Sequence, residues 1–466
     1  MAIHPVIQQL LNRGVERVKV GAFDTDGILR GKYLSFEKLE SALNSGFGFC
    51  DVVFGWDSAD VLYDNAPGSA ESRKMYTGWH TGYPDTLARL DETTLRYVPW
   101  EPNTAIILSD FYKSDGSPLP ICPRQTLKRV VERSRKAGYE PMCAFEFEFF
   151  IFKETPQSVR AKHYRGLENL TPGMFGYSVL RASSQQPLVH DILRSMRDYD
   201  IELEGFHTET GPGVYEAAIK YDHVLKIADK AALFKTAMKE ITARHGAMVT
   251  FMAKVSPNLP GCSGHMHQSL WDKDVKTNLF ADPKDEFGMS TLFRQYVAGQ
   301  VKAMPELMAL ISPTINSYKR TGRHTMAWAP CNATWGNENR TTALRVINGP
   351  SGPGKSTRVE YRLAGADLNP YHAMAASIAS GLWGIEQKMQ LGAPLKGSAY
   401  LAGAKDAEPL PTSLEEATEK LAESRVARDY LGSEFVDHYV MTRRWEVEQF
   451  RRAVTNWEHE RYFEII

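Results

Sequence analysis

Carboxylates and phenylalanines alternate strictly along Phe145-Glu146-Phe147-Glu148-Phe149. On an extended strand successive side chains point to opposite faces, so Glu146 and Glu148 share one face and the three rings share the other. Carboxylates beside an apolar wall need a counter-charge, because burying them unpaired is costly or forces protonation. A divalent cation meets that need.

Four more segments offer side chains of the same kind. Glu209 and Glu216 lie in 201–216, and His265 and His267 stand two apart in Gly261-Cys262-Ser263-Gly264-His265-Met266-His267. Arg358, Glu360 and Arg362 share one face of an alternating stretch from Thr357 to Leu363, and Arg320, Arg340 and Arg345 fall within 316–345. Singly, an alternating Glu or Arg is usually a solvated strand face. Together the five glutamates and an imidazole form a hard, oxygen-rich ligand set that suits magnesium or manganese better than zinc or copper. Arginines beside such ions point to phosphate, which guanidinium binds bidentately. Arg340 and Arg345 are five apart, so a regular strand would send them to opposite faces unless a bulge intervened.

The elements that must hold these residues are also legible. A hairpin is expected from Val18-Lys19-Val20 through Asp24-Thr25-Asp26-Gly27 to Ile28–Tyr33. The spacing predicts helices over Pro123–Ala137, over His223–His245 and, apolar nearly all round, over His372–Leu391. Ser413-Leu414-Glu415-Glu416 reads as a capping box opening a fourth. Texture changes near residue 110, and the remainder of the chain is α+β, helices packed on a sheet.

With 466 residues, 43% of them hydrophobic, the chain can bury a large core and fill two or more domains. A net charge of −1, with 55 basic against 56 acidic residues, argues against a nucleic-acid or membrane partner and for a small one. Five scattered cysteines without a C-x-x-C spacing argue against disulfides and a thiolate zinc site. With no signal-like N-terminus and no apolar membrane span, a cytoplasmic location is expected.

In order and spacing the chain resembles the glutamine synthetase superfamily. The likeness runs through Arg30-Gly31-Lys32, Glu146-x-Glu148, the Glu209–Glu216 loop, the His265 segment, Asn316-Ser317-Tyr318-Lys319-Arg320, Asn339-Arg340-Thr341, Arg358–Arg362 and Asn369-Pro370-Tyr371. The resemblance implies a small β-grasp-like domain (1–110) before a catalytic domain (111–466) with a curved antiparallel sheet flanked by helices. It implies Glu148, Glu209 and Glu216 on one Mg2+ or Mn2+ ion and Glu146, His265 and Glu360 on another. Arg320, Arg362 and the backbone near Gly261 would hold glutamate, and Arg340 would face the transferring phosphoryl group. His267, Ser269, Arg345, Lys355 and Arg358 would surround ATP. The implied assembly is a ring-stacked homo-oligomer, a dodecamer, with active sites shared between neighbours.

Two departures bear on the nucleophile. Where glutamine synthetases carry an ammonium-binding glutamate before an Ala-Pro pair, this chain has Trp328, or Met326 if the count runs forward from Arg320. Neither is a carboxylate. The family's amine-deprotonating aspartate corresponds to Asp51 or Asp57. An aromatic residue in place of a cation site, with Trp335 close behind, implies an organic amine, a monoamine or aromatic amine, and a γ-glutamylamide product. The alternatives are ammonia, a polyamine, or a catalytically inactive structural relative.

Two rival readings rest on pattern. Gly349-Pro350-Ser351-Gly352-Pro353-Gly354-Lys355-Ser356 matches the phosphate-loop pattern, yet it leads into an alternating strand rather than a helix, and its prolines remove amide donors. A glycosidase pair at Glu146 and Glu148, about 6–7 Å apart by strand rise, leaves every arginine unexplained.

Overall fold

The computed structural model describes residues 3–63, 75–321, 328–400 and 407–466. It is a mixed α/β chain built on two sheets. The first opens with the expected hairpin, β1 (Arg17–Phe23) antiparallel to β2 (Leu29–Leu34). Asp24 makes the turn: its carboxylate accepts from the N–H of Asp26 and Ile28 at 3.0 and 2.9 Å and from Arg30 Nε at 2.8 Å. Strands β3 (Phe47–Cys50), β4 (Asp85–Leu90), β5 (Arg96–Tyr97) and β6 (Thr104–Tyr112) complete a sheet of order β2-β1-β6-β4-β3, with β5 on β6. Residue 110 falls inside β6, and the chain leaves this sheet after Tyr112.

The second sheet comprises β7 (Glu140–Phe152), β8 (Leu203–Thr208), β9 (Val214–His223), β10 (Met248–Thr250), β11 (Gly264–Trp271), β12 (Trp335–Asn337), β13 (Leu344–Ile347) and β14 (Arg358–Tyr361). Its order is β12-β13-β14-β11-β7-β9-β8, with β10 on β7. Every pair is antiparallel except β12–β13.

Alternation on β7 works as the sequence predicts. Phe145, Phe147 and Phe149 are wholly buried, the first two stacked with centroids 5.5 Å apart. Phe234 of helix Val224–Arg244 stacks on Phe147 at 5.9 Å, and Phe251 approaches Phe149 at 5.4 Å. At about 1.5–3 kcal/mol per buried aromatic side chain, this face anchors the strand and leaves the glutamates no choice of side.

The expected helices form over Pro123–Lys136, Val224–Arg244 and Pro370–Glu386, the last ending five residues before Leu391. Helix Leu414–Glu423 is capped by Ser413 Oγ, which accepts from Glu416 N–H at 3.1 Å. The reciprocal half of the capping box slips by one residue, because the Glu416 carboxylate takes the N–H of Thr412. Helices Thr291–Ile311 and Pro370–Glu386 touch backbone to backbone at Gly299 and Gly384. A Cβ on Gly299 would lie 2.2 Å from Ser380 O, so only glycine permits that approach.

Arg124, buried at the start of its helix, joins the two halves. It binds Asp110 of β6 at 2.7 Å, Asp91 at 2.9 Å, and Asp229 of helix Val224–Arg244 through two hydrogen bonds of 2.8 and 3.0 Å. Replacing it by methionine keeps the volume but takes the buried counter-charge from three carboxylates, leaving Asp110 and Asp91 only Lys128 and Asp229 only the Tyr371 hydroxyl. Arg124→Met is therefore expected to lower stability by about 3–5 kcal/mol in equilibrium denaturation. A loss below about 1 kcal/mol would show that these carboxylates find other partners.

Candidate active site

The sheet's acidic face is built by register. On β7, Glu146 stands opposite His265 of β11, and Glu148 stands opposite Glu216 of β9. On β14, Glu360 stands between His267 of β11 and Arg345 of β13. Non-adjacent parts of the chain thus meet on one surface. They line a cavity of about 500 Å³, together with Glu209, Gly261, Arg320, Trp328, Arg340, Arg358 and Arg362.

The cavity has two electrostatic halves. In one, His265 Nδ1 lies 3.2 Å from Glu360 and 3.8 Å from Glu146, and His267 Nε2 lies 3.1 Å from Glu146. Arg345 reaches Glu360 at 3.1 Å, and Arg362 also pairs with it. Burial opposes charge on Glu146 and Glu360, but these neighbours outweigh it. His267 and His265 hold Glu146 far below the usual carboxylate range, and His265, Arg362 and His267 bring Glu360 down to about 2. His265 is itself pushed down by burial and by Arg362.

The other half is under-compensated. Glu148 and Glu216 face each other across β7 and β9, a like-charge pairing that destabilises a sheet. Burial raises the pKa of Glu148 against the Ser263 N–H that its carboxylate accepts. Burial raises Glu216 too, reinforced by Glu148 and Glu146 and only partly opposed by His207 at 3.2 Å. Negative charge is left here for a cation to answer.

Arg320, Arg358 and Arg362 are fixed in advance. Arg320 donates to the carbonyls of Leu363 and Arg362 at 2.9 and 3.2 Å, and Arg362 Nε donates to Arg340 O at 3.0 Å. Arg358 Nε lies 3.1 Å from His267 Nδ1. Gly261 packs directly on Arg320, where a Cβ would stand 2.8 Å from its Cγ and 2.7 Å from Ala253 O. The side chain at 261 is absent because the guanidinium stem occupies its place.

The family described as glutamine synthetase, catalytic domain, matches residues 120–462. This chain belongs to the glutamine synthetase family. It is 48% identical over 451 residues to Type-1 glutamine synthetase 2 of Dictyostelium discoideum, covering 96% of this chain and 84% of that protein. It is 40% identical over 453 residues to glutamate–isopropylamine ligase of Pseudomonas sp, covering 97% and 96%. A solved GmaS/ADP complex has the same fold, with a TM-score of 0.83 at 26% identity over 98% of this chain and 99% of that one.

The residues present fit the divalent metals of a glutamine synthetase. Ligand atoms of Glu146, His265 and Glu360 lie within 4.8 Å of one another, and His265 Nε2 is buried without a hydrogen-bond partner. Glu148, Glu209 and Glu216 line the same cavity but do not converge to that distance.

Several expected positions differ. Ser269 lies inside the sheet, where its Oγ accepts from Trp271 Nε1 at 2.9 Å and donates to Met142 O, so it does not line the cavity. Lys355 is exposed outside the cavity, in a turn that feeds β14 directly, and its carbonyl accepts from Asn278 Nδ2 at 3.2 Å. That turn has no helix behind it, which removes the phosphate-loop reading. Asp57 caps its own loop through the N–H groups of Ala59 and Val61 and accepts from Trp445 Nε1 at 3.0 Å. Asp51 is buried near Thr77, and burial raises its pKa. Neither aspartate lines this chain's cavity. Trp335 turns away, its ring against Phe287 and its Nε1 on Gly392 O, and Met326 lies outside the described residues.

Sequence reasoning missed Tyr177, which lines the cavity and packs on His207 with centroids 4.5 Å apart. It sits in an irregular loop with φ +56°, and no periodicity marks it. The Arg340–Arg345 difficulty disappears because Arg340 lies in the turn between β12 and β13, not on a strand. No bulge is needed.

Glu148→Gln removes a buried like charge and a ligand oxygen at once. It is expected to raise the melting temperature without metal and to weaken Mn2+ binding at least about tenfold by calorimetry. Unchanged Mn2+ affinity would exclude Glu148 from the metal site.

Proposed function

We propose that this chain is an ATP-dependent ligase joining the γ-carboxyl of glutamate to a small organic amine, a monoamine or aromatic amine. The carrying observation is that Trp328 and Ala329 line the same cavity as the carboxylate–histidine set and five arginines. A carboxylate at neutral pH is a poor electrophile. Attack of the glutamate γ-carboxylate on the γ-phosphorus of ATP releases ADP and leaves an acyl phosphate. The amine nitrogen then attacks the acyl carbon, loses a proton and expels phosphate.

Arg320 and Arg362 are positioned to bind glutamate carboxylates, with Gly261 giving close backbone approach at the amino-acid end. Arg340 faces the transferring phosphoryl group, while His267, Arg345 and Arg358 lie around the nucleotide phosphates. Glu148, Glu209 and Glu216, and separately Glu146, His265 and Glu360, would hold Mg2+ or Mn2+. Those ions would neutralise the crowded negative charge of ATP and glutamate.

Trp328 carries the choice of nucleophile. Trp328 is 60% exposed with φ +75°, a left-handed conformation that a bulky residue adopts only when its surroundings impose it. An indole at that wall offers an apolar and cation–π surface to a substituted ammonium and no carboxylate to NH4+. The Pseudomonas relative, named for isopropylamine, supports this reading; the Dictyostelium relative, named a glutamine synthetase, supports ammonia as the second one.

The N-terminal sheet is read as the β-grasp-like domain, residues 1–110, ahead of the catalytic domain, residues 111–466. Asp51 and Asp57 lie outside this chain's cavity, which supports a ring-stacked dodecamer in which a neighbour's aspartate deprotonates the amine. No helix among the described residues is long and apolar enough to cross a membrane. A cytoplasmic location belongs to the same reading.

ADP release measured across ammonium, isopropylamine, ethanolamine, aniline and putrescine tests the reading. Isopropylamine or another monoamine is expected to exceed ammonium in kcat/KM by at least about tenfold, and Trp328→Ala is expected to raise the amine KM with those of ATP and glutamate little changed. Ammonium as the best substrate would overturn the amine assignment, and absence of nucleotide turnover with every amine would overturn the ligase.

A further inference from the structure

Among the described residues, the guanidinium groups of Arg320, Arg345, Arg358 and Arg362 are each bonded within the chain, whereas no hydrogen bond or ion pair holds that of Arg340. Its backbone, in contrast, is pinned. Thr342 closes a turn on Asn339 O through its Oγ1 at 2.9 Å, and Arg340 O accepts from Arg362.

The residues on either side of Arg340 are tied to one distant segment. Asn339 Nδ2 donates to Leu395 O at 3.2 Å and to Gly397 O at 2.8 Å. Asn339 Oδ1 accepts from Thr341 N at 3.0 Å and from Thr341 Oγ1 at 2.7 Å, and Thr341 Oγ1 accepts from Ala399 N at 2.9 Å. That segment is fastened again upstream, where Trp335 Nε1 donates to Gly392 O and Leu395 N donates to Trp335 O, each at 2.9 Å.

We propose that Asn339 and Thr341 are positioning residues for Arg340, and that residues 392–399 form a strap fixing the turn from which its guanidinium reaches the phosphoryl group. The inference rests on the reading of Arg340 given above. A guanidinium that no hydrogen bond or ion pair holds among the described residues depends on its Cα for its reach, and a misplacement of about 1 Å costs on the order of 100-fold in rate. An arginine that meets its charge only as the phosphoryl group transfers registers in kcat rather than in KM.

Thr341→Val removes the hydroxyl at nearly constant shape, and Thr341→Ser restores it. In steady-state amide formation, Thr341→Val is expected to lower kcat about tenfold with KM for ATP and glutamate within about threefold, and Thr341→Ser to recover most of kcat. Asn339→Asp cuts the strap from the other side by removing both Nδ2 donors, and is expected to give the same split. The deciding measurement is the double-variant cycle: in an Arg340→Ala background, Thr341→Val is expected to have no further effect. Melting temperatures of the single variants are expected to stay within about 3 °C of the parent.

Equal losses in both backgrounds would mean a merely structural role and would overturn the proposal. Full kcat in Thr341→Val beside a crippled Arg340→Ala would sink the strap alone. Full kcat in Arg340→Ala would remove Arg340 from the chemistry, and the strap's purpose with it.

Discussion

Everything in the cavity depends on negative charge held against a hydrocarbon wall. Strand β7 cannot relieve the crowding of Glu146 and Glu148 by turning over, because Phe145, Phe147 and Phe149 are wholly buried behind it. Nor can Glu148 swing away from Glu216, which the pairing register sets opposite. A strand buried on one side and crowded with carboxylates on the other converts folding energy into a standing demand for cations. Folding and ligand binding are therefore linked through the same few residues.

The demand is met unevenly, and that unevenness gives the site its polarity. Around Glu360 the protein supplies its own positive charge from Arg345 and Arg362, so that carboxylate stays ionised and fixed. Around Glu148 and Glu216 the help from Ser263 N–H, Arg320 and His207 does not offset burial. Arg320 and Arg362 spend part of their donor capacity on main-chain carbonyls, which sets their orientation before any substrate arrives. Such preorganised dipoles and charges stabilise developing charge without reorganising at the moment of reaction.

How much of this could be read from sequence depends on the range of the interactions. The β7 acids, the His265 segment and the β14 acids and arginines were legible because alternation is local and a strand face is set by period two. The helices over Pro123–Lys136 and Val224–Arg244 were legible for the same reason at period 3.6. Ser269, which the resemblance put beside ATP, does not line the cavity, because likeness to a family does not show where this cavity ends and Trp271 engages its hydroxyl instead. Arg340 and Arg345 looked incompatible because the turn between β12 and β13, closed by Asn339 and Thr342, has no periodic signature. Tyr177 was invisible, and Asp57 looked available only because its bond to Trp445 spans most of the chain. Contacts between segments distant in sequence carry no local imprint.

Trp328 lies in neither hydrophobic cluster and is largely exposed. Exchanging that side chain opens no void in either core, whereas a change at Phe147 or Glu148 disturbs the sheet itself. On the reading of Trp328 proposed above, selection can retune which nucleophile is accepted by altering a loop, while the machinery that activates the acid stays under its own, far stricter constraint. Substrate preference and reaction type are heritable separately in such a molecule, which suits it to diversify by small steps.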